Sequence, residues 1–183
     1  MLTAATAVLL DGCGYTPAAA PNLSHASVPQ GFRQFSYPLP GYQVKLKAPS
    51  NWYTTGGRNR LVAVSSSGHA VIALWHYTAA VPTVASQAEL SAQRGALLAA
   101  IRREDPGFKL LAAVPTTVDG HPAIALAGIE TVNGLMREVS SEHIYLTGGE
   151  IVLDEYAPPA TFATVFQQAF DPVRASLTLI PAS

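Results

Sequence analysis

A chain of 183 residues suits a single domain with room for an ordinary hydrophobic core. Hydrophobic residues make up 49% and charged residues 13%, against about 25% in typical domains, which argues against disorder of the whole chain. A formal net charge of -1 gives no footprint for nucleic acid, and the lone cysteine, Cys13, excludes an intrachain disulfide and clustered thiolate metal sites.

Leu2 to Leu10 form a short apolar run that leads directly into Leu10-Asp11-Gly12-Cys13. This resembles a bacterial lipobox, with Leu10 and Gly12 in the branched and small positions. Asp11 departs from the pattern, and no Lys or Arg precedes Leu2. The run is well short of the roughly 18 residues a membrane-spanning helix needs. Residues 1–13 are therefore expected to be a truncated or atypical lipoprotein signal segment with Cys13 as the acylated residue; the alternative is an alanine-rich N-terminus with an incidental cysteine. Two or more acyl chains would anchor the protein stably. Residues 14–36, broken by Pro17, Pro21 and Pro29 and rich in Ala and Ser, read as a linker. Residues 37–183 are expected to form one domain.

Within it, Gln43 to Ala48 alternates, with Val44, Leu46 and Ala48 on one face and Gln43, Lys45 and Lys47 on the other, which predicts a half-exposed antiparallel strand. Trp52 and Tyr53 are expected core aromatics. Arg60 to Ser65 and Ala70 to Tyr77, joined at Ser66-Ser67-Gly68, predict a hairpin whose second arm is covered on both faces. Ser86-Gln87-Ala88-Glu89 has the form of a capping box, Leu90, Leu97, Leu98 and Ile101 follow at helical spacing, and Asp105-Pro106-Gly107 stops the helix.

Four more strands follow: Phe108 to Val118, His121 to Thr131, Met136 to Leu146 and Glu150 to Ala157. The separating pairs Asp119-Gly120, Asn133-Gly134 and Gly148-Gly149 are hairpin turns, too tight for parallel crossovers. Phe162, Val165, Phe166, Phe170 and Val173 predict a second amphipathic helix, with Asp171 as cap and Pro172 opening a further short segment. The order sheet, helix, sheet, helix predicts an α+β fold.

Several of these patterns, in this order, resemble the PsbP-like superfamily, which takes in the extrinsic photosystem subunit, the Ran-binding Mog proteins and actinobacterial lipoproteins of the LpqN type. The likeness runs from Tyr42 to Leu179. It rests on Gly41-Tyr42-Gln43-Val44-Lys45-Leu46 leading to Pro49 and Trp52, on Gly120-His121-Pro122-Ala123 leading to Leu126, and on Tyr156 with Pro158, Phe162, Phe166, Phe170 and Ser176-Leu177. The resemblance implies an α/β/α sandwich with a central antiparallel sheet flanked by helices, and roles in binding or assembly. It transfers no catalytic residues, and fold analogy gives no partner.

No phosphate-cradling loop or nucleophile elbow is present; Gly56-Gly57-Arg58-Asn59 lacks the Lys-Ser/Thr ending and reads as a turn. His69, His76, His121 and His143 show no pair at strand or helix ligand spacing, so no metal or other cofactor is expected. His69 and His76 are expected on opposite sides of one strand, His121 in a turn and His143 on the sheet surface. The densest polar set, on two adjacent strands, is Arg137, Glu138, Glu142, His143, Asp154 and Glu155. Asp154, between Val152 and Tyr156, must be paired, exposed or functional, and Arg137 is its natural partner. From this set Arg137, Glu142, His143, Asp154 and Tyr156 form the candidate binding surface; a cross-strand ion-pair lattice is the alternative. Tyr37, Tyr42, Tyr53, Tyr77 and Tyr156 are further interface candidates.

These readings lead to the expectation of an exported protein held at the extracytoplasmic face of the cell membrane. It would act without catalysis, binding or assembling an envelope protein or a small apolar ligand. The rival expectations are a hydrolase-type enzyme with an unrecognised site and a purely structural envelope protein.

Overall fold

The computed structural model describes residues 28–57, 60–67, 69–78, 84, 86–132 and 134–182; the expected signal segment with Cys13, and residues 14–27 of the expected linker, lie outside the described residues. Strand β1 (Phe32–Leu39) begins inside the stretch read as linker. Phe35, Tyr37 and Leu39 alternate toward the interior there, so apolar periodicity outweighs the linker-like composition. Pro38 is tolerated because β1 is an edge strand. Strand β2 (Tyr42–Pro49) turns Val44, Leu46 and Ala48 inward and its lysines outward, as the alternation predicts. It pairs on one side with β1 and on the other with β10 (Thr178–Pro181), the last strand of the chain.

The second sheet has seven strands in the order β3-β4-β5-β9-β8-β7-β6, every pair antiparallel. They are β3 (Tyr53–Thr55), β4 (Arg60–Ser65), β5 (Val71–Tyr77), β6 (Lys109–Val118), β7 (His121–Val132), β8 (Leu135–Leu146) and β9 (Gly149–Ala157). The expected meander is β6 to β9. Asp119 and Gly120 both take positive φ, the geometry a two-residue hairpin turn requires. The β8–β9 turn falls at Thr147-Gly148, one residue before the expected pair, because Gly149 pairs with Leu146. A side chain at Gly149 would stand 2.8 Å from the Tyr77 carbonyl oxygen, so close strand approach demands glycine there.

Helix α1 (Gln87–Glu104) starts as the capping box predicts: Ser86 Oγ accepts the Glu89 N–H at 3.2 Å. The glutamate then takes the serine hydroxyl at 3.0 Å. Leu90, Leu97 and Ile101 of α1 pack on Ala113, Ile124, Leu126 and Tyr145 of the large sheet. Helix α2 (Pro159–Val165) passes through a π-helical turn (Phe166–Phe170) into α3 (Asp171–Ser176). Pro172 has no N–H for an i→i−4 bond, and the widened turn instead carries the Asp171 N–H to the Phe166 carbonyl. Asp171 thus does not cap α3; it is its first residue, with Phe170 before it.

The larger core joins Val44, Leu46 and Leu179 of the small sheet, Ile72, Leu74, Ile144, Ile151 and Leu153 of the large one, and Phe170 and Val173. Each such side chain contributes about 1.5–3 kcal/mol on burial. One central sheet was expected, and the structure has two, because β1 and β10 lie at opposite ends of the sequence and meet only through β2. Trp52 belongs to the core at 4% exposure, whereas Tyr53 stands 69% exposed on the short edge strand β3.

Candidate functional site

Side chains alternate across the pleat, so the register of β8 with β9 sorts the expected polar set onto two faces. Arg137, Val139, Ser141, His143 and Tyr145 share one face with Glu150, Val152, Asp154 and Tyr156; Glu138, Ser140 and Glu142 share the other with Leu153 and Glu155. Four of the five candidate residues, Arg137, His143, Asp154 and Tyr156, therefore lie together. Glu142 faces away from them.

On the first face a crevice opens between α1 and the sheet. Leu97, Ala100, Ile101, Leu126, Val139 and Val152 form its apolar walls, Glu104 of α1 joins them, and Ser141, His143 and Asp154 form its polar floor. It encloses about 20 Å³, room for one water-sized group. Ser141 Oγ donates to Asp154 Oδ1. His143 Nδ1 lies 2.8 Å from Glu150 Oε1, and its Nε2 lies 3.5 Å from Ser141 Oγ. Burial pulls the His143 pKa down, but the hydrogen bond to Glu150 and the charges of Glu150, Asp154 and Glu142 outweigh it, and the net shift is upward. Burial raises the Asp154 pKa against the Ser141 hydrogen bond, the His143 charge, Tyr156 and Trp75.

Further along this face, Arg137 is 2% exposed and donates through Nη1 to the His69 carbonyl, not to Asp154 as expected. Its Nη2 has no hydrogen-bond partner among the described residues. Buried Glu130, opposite Arg137 on β7, has its pKa pushed up to about 7 by desolvation and by Asp154, with Arg137 opposing. Burial, with the charges of Asp154 and Glu130, also raises the half-buried Tyr156 well above the usual phenol range.

The opposite face carries a different network. Arg174 of α3 reaches Glu155 Oε2 at 2.6 Å, Glu142 Oε1 at 3.0 Å and Ser140 Oγ at 2.6 Å, with its guanidinium 5.2 Å from the Phe166 ring centroid. Glu155 is fully buried; desolvation pushes its pKa up to about 8 although Arg174 lowers it. Glu142 is raised in the same way. This network fastens α3 to β8 and β9 at the far side from the crevice.

The remaining candidates are scattered. His69 sits in a turn at φ 69°, not in the strand that carries His76, and His121 opens β7 with its ring edge-on to Tyr42 at 5.4 Å. His143, expected on the sheet surface, has a side chain only 12% exposed. Among the described residues no group of three His, Cys, Asp or Glu could hold a metal ion. No helix among them is long and apolar enough to cross a membrane. Ser141, Glu150, Glu130 and Arg174 escaped the sequence reading because each is defined only by strand register or by α3 docking.

Glu150, His143 and Ser141 follow one another as acid, imidazole and hydroxyl do in nucleophilic catalysis, but the Ser141 hydroxyl is bonded to Asp154. A nucleophilic serine gives its proton to a neutral imidazole nitrogen. Here Ser141 gives it to Asp154, and the acidic surroundings shift the His143 pKa upward. The contact between His143 Nε2 and Ser141 Oγ is long, and which of the two donates depends on the imidazole tautomer.

No family model and no curated protein matches this sequence. Solved structures do match its fold. Cyanobacterial PsbP (CyanoP) from Synechocystis superposes with a TM-score of 0.60 at 16% identity, covering 93% of this chain and 98% of that one. LpqN of Mycobacterium tuberculosis, described as involved in cell envelope biogenesis, gives 0.56 at 18% identity over 82% of this chain and 92% of that one. The chain has a PsbP-like fold, as the sequence resemblance implied.

Proposed function

We propose that this chain is a non-catalytic binding module of the cell envelope, anchored to the membrane through Cys13, which holds a small apolar ligand in the crevice beneath α1. One observation carries this reading: buried Ser141 and Asp154 and the largely buried His143 converge at the floor of a cleft whose walls, Glu104 apart, are apolar. Ligand sites have this makeup, apolar walls for affinity and a few polar groups for orientation. The enclosed space is small, so occupancy requires α1 to tilt away from the sheet. Only Leu90, Leu97, Ala100 and Ile101 of its 18 residues are buried. The envelope setting is supported by the fold shared with LpqN and by the lipobox-like Leu10-Asp11-Gly12-Cys13. The Ser141 hydroxyl, given to Asp154, favours binding over acyl transfer.

The test is calorimetric titration of the protein with decanol and with decanoic acid, beside an Ala100→Trp variant whose indole fills the crevice. Saturable binding by the native chain, abolished in the variant while its melting temperature is kept, is the expected result. Equal heats for both proteins would place any binding elsewhere and remove the crevice from the account.

A further inference from the structure

Charge is distributed unevenly along this chain. Between Asp11 and Glu89 there is no acidic residue, while Arg33, Lys45, Lys47, Arg58 and Arg60 all fall in that span. The fold places two of these on one surface. Lys45 and Lys47 project from β2 on the side away from the core, beside their strand partners Ser36, Gln34 and Thr178. Phe32 and Ile180, each 40% exposed, frame the same small sheet. A groove of about 660 Å³ runs between this surface and α3, with Lys45, Lys47, Phe32, Ser176 and Thr178 in its lining. The acids on neighbouring elements are Asp171, the first residue of α3, and Asp119, whose carboxylate accepts the Leu179 N–H at 2.6 Å.

We infer that the outward face of the small sheet docks on an anionic bilayer, with Lys45 and Lys47 on lipid headgroup phosphates and Phe32 and Ile180 at the interface. Cationic side chains near an anionic leaflet each contribute measurably to attachment, and aromatic and aliphatic side chains settle at the headgroup boundary. The position of the tether favours a membrane as occupant. The segment carrying Cys13 joins the described domain at Val28, whose carbonyl is held by the Asn51 side chain, and Ser50 bonds Gly31 one residue before Phe32. The chain thus enters at the Phe32 end of this face. The inference rests on the envelope location proposed above, and it orients the crevice, since α1 packs on the opposite side of the large sheet from the core that the small sheet closes.

The experiment uses the full chain carrying Cys13→Ser, so that no acyl chain contributes, in co-sedimentation with vesicles of phosphatidylcholine alone or mixed with phosphatidylglycerol. The expected result is binding to the mixed vesicles only, weakened by salt, and about 30-fold weaker for Lys45→Gln/Lys47→Gln. The control Arg94→Gln/Arg102→Gln removes the same charge from α1 and is expected to bind as the parent does. Binding that ignores the anionic lipid, or a lysine variant that binds like the parent, overturns the proposal. So does absence of binding to either vesicle, which would turn the surface toward an acidic protein. None of these outcomes touches the crevice or the acylation of Cys13, the latter read separately from the intact mass of the membrane-extracted protein.

Discussion

Arg174 and Glu155 meet 2.6 Å apart inside the fold, the arginine arriving from α3 and the glutamate from the middle of β9. Glu155 is fully buried and Glu142 nearly so, so one guanidinium compensates two carboxyl groups. Removing one partner of a buried pair strands the other, at about 3–5 kcal/mol. Arg174→Met is therefore expected to lower stability by that order near about pH 9, where the Glu155 carboxyl is ionised, and by less near about pH 6, where it holds its proton. Denaturant melts of the variant at the two pH values check this; an equal loss at both would show that charge is not what Arg174 supplies.

Stability should fall as pH rises. Glu130 and Glu155 are held at about 7 and about 8, above their ordinary 4.5, so the unfolded chain loses these protons before the folded one. A raised acid contributes stability that is complete below its unfolded pKa and lost as pH climbs through its folded value. His143, raised above 6.5, acts in the same direction. Melting temperature is expected to decline between pH 4.5 and 8. For Glu130 alone the change is roughly 3 kcal/mol, and Glu130→Gln should remove that share of the slope. A flat profile in the parent would contradict these shifts.

Glu150 should govern the protonation of His143. Titration of the imidazole by NMR is expected to give a midpoint above that of a free histidine, and Glu150→Gln should lower it by removing the bond at 2.8 Å. With its hydroxyl given to Asp154, Ser141 should resist a fluorophosphonate probe. Labelling of Ser141 would revive the hydrolase alternative.

Phe108 lies across Gly128 on β7, and a Cβ there would stand 2.1 Å from the ring. Gly128→Ala must push the ring off the cluster that α1 forms with Ile124, Leu126 and Tyr145, at about 1–3 kcal/mol. Phe108→Ala in the Gly128→Ala background should then cost less than in the parent chain. Additive losses would mean that the two residues do not press on each other.

Much of the fold was legible because its signals are local: alternation in β2, glycine turns between β6 and β9, and the Ser86 cap of α1. Strand β1 carried the same alternation in Phe35, Tyr37 and Leu39, but the stretch leading into it, with Pro17, Pro21 and Pro29, has the composition of a linker. The short strand β10 has no periodicity to read. The site was half legible. Residues Arg137, His143, Asp154 and Tyr156 share a face, while Glu142, next to His143 in sequence, points the other way. Hairpin register is unforgiving here. Moving the β8–β9 turn by one residue shifts every pairing by two, so Ser141 opposite Asp154 follows only from a turn at Thr147-Gly148.

The crevice beneath α1 is the centre of the functional account, and methyl NMR during titration with decanol tests it most directly. The account predicts saturable shifts at Leu97, Ile101, Leu126, Val139 and Val152, with the His143 ring following. Shifts confined to exposed Leu111 and Val114 on the edge strand β6, with the crevice methyls unmoved, would contradict it.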